Sequence, residues 1–272
     1  MSSPTVDLDA YFARIGYTGA RAATHAVLRE IHFRHVCAIP FENLDVLLGR
    51  GIRIDVPSIE RKLVHERRGG YCFEQNGLFA AVLRALGFRV TPLIARVRWQ
   101  VPAGVATPLT HKVLRVEAGA VACLADVGFG SMSLFEPLVF EYDSEQAGAL
   151  EPRRLVRDGD AIVQQARLGE TWCDVYRFAL AEAPAVDFEV GNWFTSTHPQ
   201  SRFVQNLTVA RAGHRRRLGL LNREFSVRHA DGRHETRTLA TSEELLHVLA
   251  TEFGLHFPAG TRFGQANSPW PA

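Results

Sequence analysis

The stretch Arg68-Gly69-Gly70-Tyr71-Cys72-Phe73-Glu74-Gln75-Asn76 stands between two kinds of pattern. Immediately after it, Phe79, Val82, Leu83 and Leu86 recur at helical spacing, and the stripe stops at Gly87, a residue suited to a left-handed helix cap. Cys72 therefore opens a helix. From Phe88 the period falls to two: Ala95, Val97 and Trp99 alternate with Arg96 and Arg98, as a half-exposed strand requires.

Working outward, Leu8, Tyr11, Phe12 and Ile15 repeat with helical period. So do Val27, Leu28, Ile31 and His35 before Pro40 stops the run, and a short helix is expected over 59–66. On the other side, strands are expected over 111–117, 121–127, 155–157, 161–167 and 172–180, with Asp158-Gly159 as a hairpin signal, so the middle of the chain reads as an antiparallel sheet or barrel. Past Pro184 the pattern mixes. Strands are expected over 203–210, 218–229 and 236–239, then a last helix that opens with Thr241-Ser242-Glu243-Glu244 and ends at Gly254. Residues 264–272 carry no period, as a segment lying across the surface or fraying would.

A chain of 272 residues exceeds the roughly 100–200 of one core, so two or three packed units are expected. Hydrophobic content of 46% with 22% charged residues is that of a soluble globular protein. The net charge of +2, with its basic residues scattered, offers no field for a phosphate backbone, so nucleic acid is not an expected partner. The apolar stretch Leu78 to Leu86 is interrupted by Arg84 and falls short of the ~20 residues a bilayer needs. The start, Met1-Ser2-Ser3-Pro4, has neither the basic nor the apolar run of a secretory signal; a cytoplasmic location and no membrane partner are expected. Cys37, Cys72, Cys123 and Cys173 are too widely spaced for a zinc motif or a disulfide framework, and no metal is expected.

Of the four cysteines, only Cys72 has the surroundings of a nucleophile. At a helix start its sulfur faces unpaired backbone N–H groups and the positive end of the helix dipole, which favour a thiolate, and the adjacent glycines permit close approach of a substrate. A base and its orienter lie downstream. His111 and Asp126 flank the midpoint Ala118-Gly119, so a two-residue hairpin loop there sets them directly opposite each other on adjacent strands, with Cβ atoms about 4.5–5.5 Å apart. Imidazole takes the thiol proton, the carboxylate orients the ring, and the sulfur attacks an acyl carbonyl. These three residue types leave the acceptor open.

The segment 68–76 resembles the nucleophile motif of the arylamine N-acetyltransferases. Pro40-Phe41-Glu42-Asn43-Leu44, Thr110-His111, Asp126-Val127-Gly128-Phe129-Gly130 and Pro199-Gln200-Ser201-Arg202-Phe203 resemble further blocks of that family, in matching order. The resemblance implies an α+β, cysteine-protease-like fold: an N-terminal helical bundle carrying the nucleophile (1–87), a middle antiparallel β-barrel carrying His111 and Asp126 (88–183), and a C-terminal α/β lid (184–272). It also implies a ping-pong reaction of xenobiotic metabolism, in which acetyl-coenzyme A acetylates Cys72 and the acetyl group passes to the nitrogen of an arylamine, arylhydrazine or arylhydroxylamine. Phe41, Val97, Phe129, Gly130 and Phe203 are implied to line the pocket, with Arg68 paired to Glu42 near the thiol. No GxxxxGK loop is present, so coenzyme A is expected in the cleft between lid and barrel, and with Lys62 and Lys112 the only lysines, arginine is left to meet phosphate. Two readings keep the triad and change the acceptor: an amide synthase of the same family closing a macrolactam, and a thiol hydrolase using water. Assembly into a homo-oligomer is left open.

Overall fold

The structure, a computed structural model, describes residues 6–264; residues 265–272 of the expected aperiodic tail lie outside the described residues. The first part holds α1 (Leu8–Ile15), α2 (His25–Ala38), β1 (Phe41–Glu42), α3 (Leu44–Leu47), α4 (Val56–Glu60), which runs on as a π-helical turn over Arg61–His65, and α5 (Cys72–Ala85). Local chemistry sets the helix ends. Asp7 accepts from Ala10 N to start α1, and Gly16 ends it in the left-handed conformation. Leu28, Ile31, Phe79 and Leu83 from the apolar stripes of α2 and α5 pack with Leu114, Val116 and Ala125 of the neighbouring sheet, forming one core between helices and strands.

That sheet has seven strands: β2 (Arg89–Val97), β3 (Leu109–Ala118), β4 (Val121–Ala125), β5 (Leu138–Val139), β6 (Arg153–Asp158), β7 (Ala161–Leu168) and β8 (Thr171–Phe178). They run in the order β5-β4-β3-β2-β8-β7-β6, with every neighbouring pair antiparallel. Just after β5, Asp143 N donates to Leu155 O of β6 at 2.8 Å, so the two edges nearly meet and the sheet curls into a barrel-like body. Leu93, Val113, Leu124, Leu155, Val175 and Tyr176 fill its interior.

The last part comprises α6 (Ala185–Thr197), α7 (Arg202–Gln205), β9 (Thr208–Gly213), β10 (Arg216–Leu221), β11 (Glu224–His229), β12 (His234–Thr238) and α8 (Ser242–Phe253). Its five-stranded sheet, β1-β9-β10-β11-β12, takes β1 from the helical part through Phe41↔Ala210 and Glu42↔Val209. The architecture is α+β, as expected.

Three local expectations are corrected. Phe203 is not in a strand: Ser201 caps a helical turn by accepting from Phe203 N at 3.3 Å, and β9 begins only at Thr208. The strand expected over 218–229 is a hairpin, β10 and β11, which turns at Asn222 with φ 52°, a conformation asparagine tolerates. Helix α6 had no counterpart in the sequence reading because its amphipathicity is inverted. Gly191, Asn192 and Thr195 are buried with Phe188, while Val186, Val190 and Trp193 face outward.

Candidate active site

At the start of helix α5, Glu74, the third helical residue, reaches back to the N-cap position, where Tyr71 N donates to its Oε2 at 3.0 Å. The preceding glycines are required by proximity. A Cβ on Gly69 would lie 2.1 Å from Pro40 O, and the chain there pairs with β1 through Glu42 N to Gly70 O at 3.0 Å. Gln75 fastens the same junction, donating from Nε2 to Pro40 O at 2.8 Å and Gly70 O at 3.2 Å. Its Oε1 must then accept from His35 Nε2 at 2.6 Å, which leaves His35 Nδ1 to accept from Tyr11 OH at 2.9 Å. Burial lowers the pKa of His35 to about 3, in keeping with that neutral tautomer.

His111 comes from β3 and Asp126 from the first position after β4. The expected direct opposition is corrected: Leu114 faces Ala125, so position 126 lies level with Val113, and the two-residue turn is Gly119-Ala120. Gly119 takes φ 68°, placing glycine at the left-handed position of the turn. The slip is of two residues, and an even slip keeps both side chains on one face. His111 Nε2 accordingly lies 2.8 Å from Asp126 Oδ2, with both residues buried.

Asp126 is held from four sides. Oδ1 accepts from Asn76 Nδ2 and from Gly128 N, each at 2.9 Å, while Asp126 N donates to His32 Nε2 at 3.2 Å. Asn76 is one turn along α5 from Cys72 and so on the same helix face; its amide also donates to Lys112 O at 2.7 Å and accepts from Val127 N at 3.0 Å. The 126–128 loop thereby lies directly on the nucleophile helix, where a Cβ on Gly128 would come 2.8 Å from Cys72 Cα. Cys72 Sγ donates to Thr110 O at 3.5 Å, which sets the thiol beside His111 on the wall of one pocket.

Burial alone would discharge His111, but the Asp126 carboxylate, with a further contribution from Cys72, pushes its pKa up to about 10. Burial would likewise raise Asp126; the His111 charge and the hydrogen bonds from His111, Asn76 and Gly128 outweigh it and hold the carboxyl below its usual range. His32, on the other side of Asp126, is driven down to about 4 by burial and acts as a neutral acceptor.

Cys72 and His111 open into one pocket. Phe41, Val97, Phe129 and Phe203 line it. Gly130 is not on the wall but behind it, with φ 80° and Phe41 against its Cα. Sequence reasoning missed Trp99, Ser131 and Thr208 as lining residues, whereas Arg202 belongs to the 199–203 segment that the family resemblance implied to line the pocket. Trp99 carried a signal, since it shares the alternation of Val97, and Ser131 directly follows the 126–130 block; Thr208 carried none. The Arg68–Glu42 pair, at 2.8 Å, belongs to a larger cluster: Arg68 also reaches Asp45 at 3.1 Å, and Lys62 bridges Asp45 at 2.9 Å and Glu74 at 2.7 Å.

A family model described as N-acetyltransferase matches residues 24–261, which sets the chain among acetyl-transferring enzymes. Curated relatives include an arylamine N-acetyltransferase of Escherichia coli, 42% identical over 91% of this chain and 88% of that protein, and one of Mycobacterium tuberculosis, 41% identical over 92% and 90%. Among solved structures, that of Mycobacterium marinum arylamine N-acetyltransferase in complex with CoA superposes with a TM-score of 0.89 at 40% identity, covering 92% of this chain and 93% of that one. The chain belongs to the arylamine N-acetyltransferase family.

Proposed function

We propose that this enzyme moves an acetyl group from acetyl-CoA to the nitrogen of an arylamine, arylhydrazine or arylhydroxylamine by a ping-pong route through an acetyl-Cys72 thioester. With His111 Nε2 engaged by Asp126, Nδ1 is the nitrogen left to take the Cys72 thiol proton. Sulfur attacks the acetyl carbonyl, the bond from that carbon to the coenzyme A sulfur breaks, and the departing thiolate takes the proton back from His111. The acceptor nitrogen then attacks the acetyl-Cys72 carbonyl, His111 receives a proton from that nitrogen, and the carbon–sulfur bond to Cys72 breaks. The first N–H groups of α5, which have no partner within the helix, supply donors for the oxyanion of each tetrahedral intermediate. Phe41, Val97, Phe129 and Phe203 offer an aromatic acceptor its apolar walls, with Arg202, Phe203 and Thr208 bringing the C-terminal part to the pocket beside the barrel that carries the base. Acetyl-CoA as donor follows from family membership and from the relative solved with CoA.

The observation that carries this reading is the convergence of Cys72 and His111 on one pocket wall, with the imidazole meeting a buried carboxylate at 2.8 Å. The test is acetyl-CoA added without acceptor. One equivalent of CoA per chain should be released in a burst, an acetyl increment should map to Cys72, and an aniline should then discharge it as N-acetylated product. CoA release that begins only once the amine is present would rule the route out, and steady release without amine would favour the hydrolase.

A further inference from the structure

We propose a second binding site in this molecule, for a phosphate group, free or at the end of a small ester, in the recess between the start of α2 and residues 146–151. His25 and Arg29 of α2 form one side of the recess, and segments 134–139 and 146–151 with Arg153 form the others. It shares no wall with the pocket of Cys72.

Four features of the recess point to an anion. Arg153 is only 3% exposed; its Nη2 donates to Met132 O at 3.0 Å and to Glu151, but its buried Nη1 has no partner among the described residues. On the α2 side, His25 Nε2 is also buried without a partner among the described residues. The charges do not balance either. Glu151 is shared by Arg153, Arg217 and Arg228, so three guanidinium groups meet one carboxylate, and the other acidic group on the wall, Glu136, is taken by Arg29 at 2.6 Å. Finally, α2 begins at His25, so the positive end of a 14-residue helix lies at the edge of the recess.

Buried cations without counter-charge are costly, and a buried N–H without an acceptor adds its own desolvation penalty. A phosphate answers both, because it brings negative charge and several acceptor oxygens to guanidinium, imidazole and helix N-terminus together. A carboxylate of the chain does not, since both acidic groups on the wall are already engaged. The polar side chain of Gln146 is likewise spent, bonding Val139 N and O at 2.8 Å each.

The test is calorimetric titration of the full chain with inorganic phosphate and with glycerol 1-phosphate, against sodium chloride at matched ionic strength. Saturable binding of either phosphate at one per chain is expected, weakened ~10-fold in Arg153→Met and in His25→Phe, as loss of one charge-assisted or buried hydrogen bond predicts. His25 is half-exposed and outside the catalytic machinery, so His25→Phe carries the comparison alone if Arg153→Met does not fold. Saturating CoA should leave the binding unchanged. No saturable binding, equal binding in the variants, or displacement by CoA would each overturn the site, and none of them bears on whether Cys72 becomes acetylated.

Discussion

Asn76 ties three segments together with one amide, to Asp126, to Lys112 O and to Val127 N, and it does so from the same helix face as Cys72. Replacing it with leucine keeps the volume but leaves the carboxylate and two backbone groups short of partners in a buried place. A loss of about 1–3 kcal/mol in stability is expected by denaturant titration, together with a fall in the rate of Cys72 acetylation. For Asp126→Asn the tautomer of His111 is no longer enforced, so the CoA burst should slow by ~10³–10⁴-fold in stopped flow while the fold survives. The pair also predicts a pH dependence. The pKa of His111, raised from 6.5 to about 10, makes its contribution to stability complete below 6.5 and lost as pH rises through about 10. Asp126, held below its usual range, contributes above the ordinary carboxylate range and fades as pH falls through its lowered pKa. The stability advantage of the native chain over His111→Gln should therefore narrow between pH 6.5 and 10, measured by urea unfolding across that window. An advantage that stayed constant there would contradict the raised pKa.

Among the elements, the junction where β1, Gly69 and the start of α5 meet has the least room. An alanine at Gly69 must push its Cβ against the carbonyl of Pro40, which is backbone and cannot swing aside. Gly69→Ala should cost more than about 3 kcal/mol, whereas Gly119→Ala, at an open hairpin turn with φ 68°, should cost about 1 kcal/mol of backbone strain and leave activity intact. Melting temperatures and burst amplitudes of the two variants check this. Elements with a strong period or a clear cap were legible beforehand: α1, α2 and α5 from apolar period, α8 from its capping sequence, and the strands of the barrel other than β5. Helix α6 was not, because tertiary packing buries Gly191 against Phe73 and Leu109 O and exposes valines instead, so its period points the wrong way for a sequence reading.

For the molecule as a whole, the pairing of Phe41 with Ala210 joins residues nearly 170 positions apart, and Phe41 and Phe203 share the pocket wall. A chain ending at residue 183 would leave β1 without its sheet partner β9 and Phe41 without Phe203 against it. It should lose cooperative unfolding and acyl transfer together, as calorimetry and the CoA burst would report. Removing Lys62 should act more widely than its size suggests: Lys62→Met leaves Asp45 and Glu74 without that cation beneath the nucleophile helix, a loss of about 3–5 kcal/mol by thermal unfolding.

What the sequence determined by itself was whatever depends on near neighbours. The helix start at Cys72, the change of period at Phe88, and the shared face of His111 and Asp126 follow from spacing and backbone preference alone, which act over a few residues. Tertiary structure decided the two-residue offset between those strands, the grip of Asn76 on Asp126, the entry of Thr208 into the pocket and the gathering of three arginines on Glu151. Each of these depends on how segments far apart in the chain pack into one core, and no local pattern encodes which remote surface a side chain will meet.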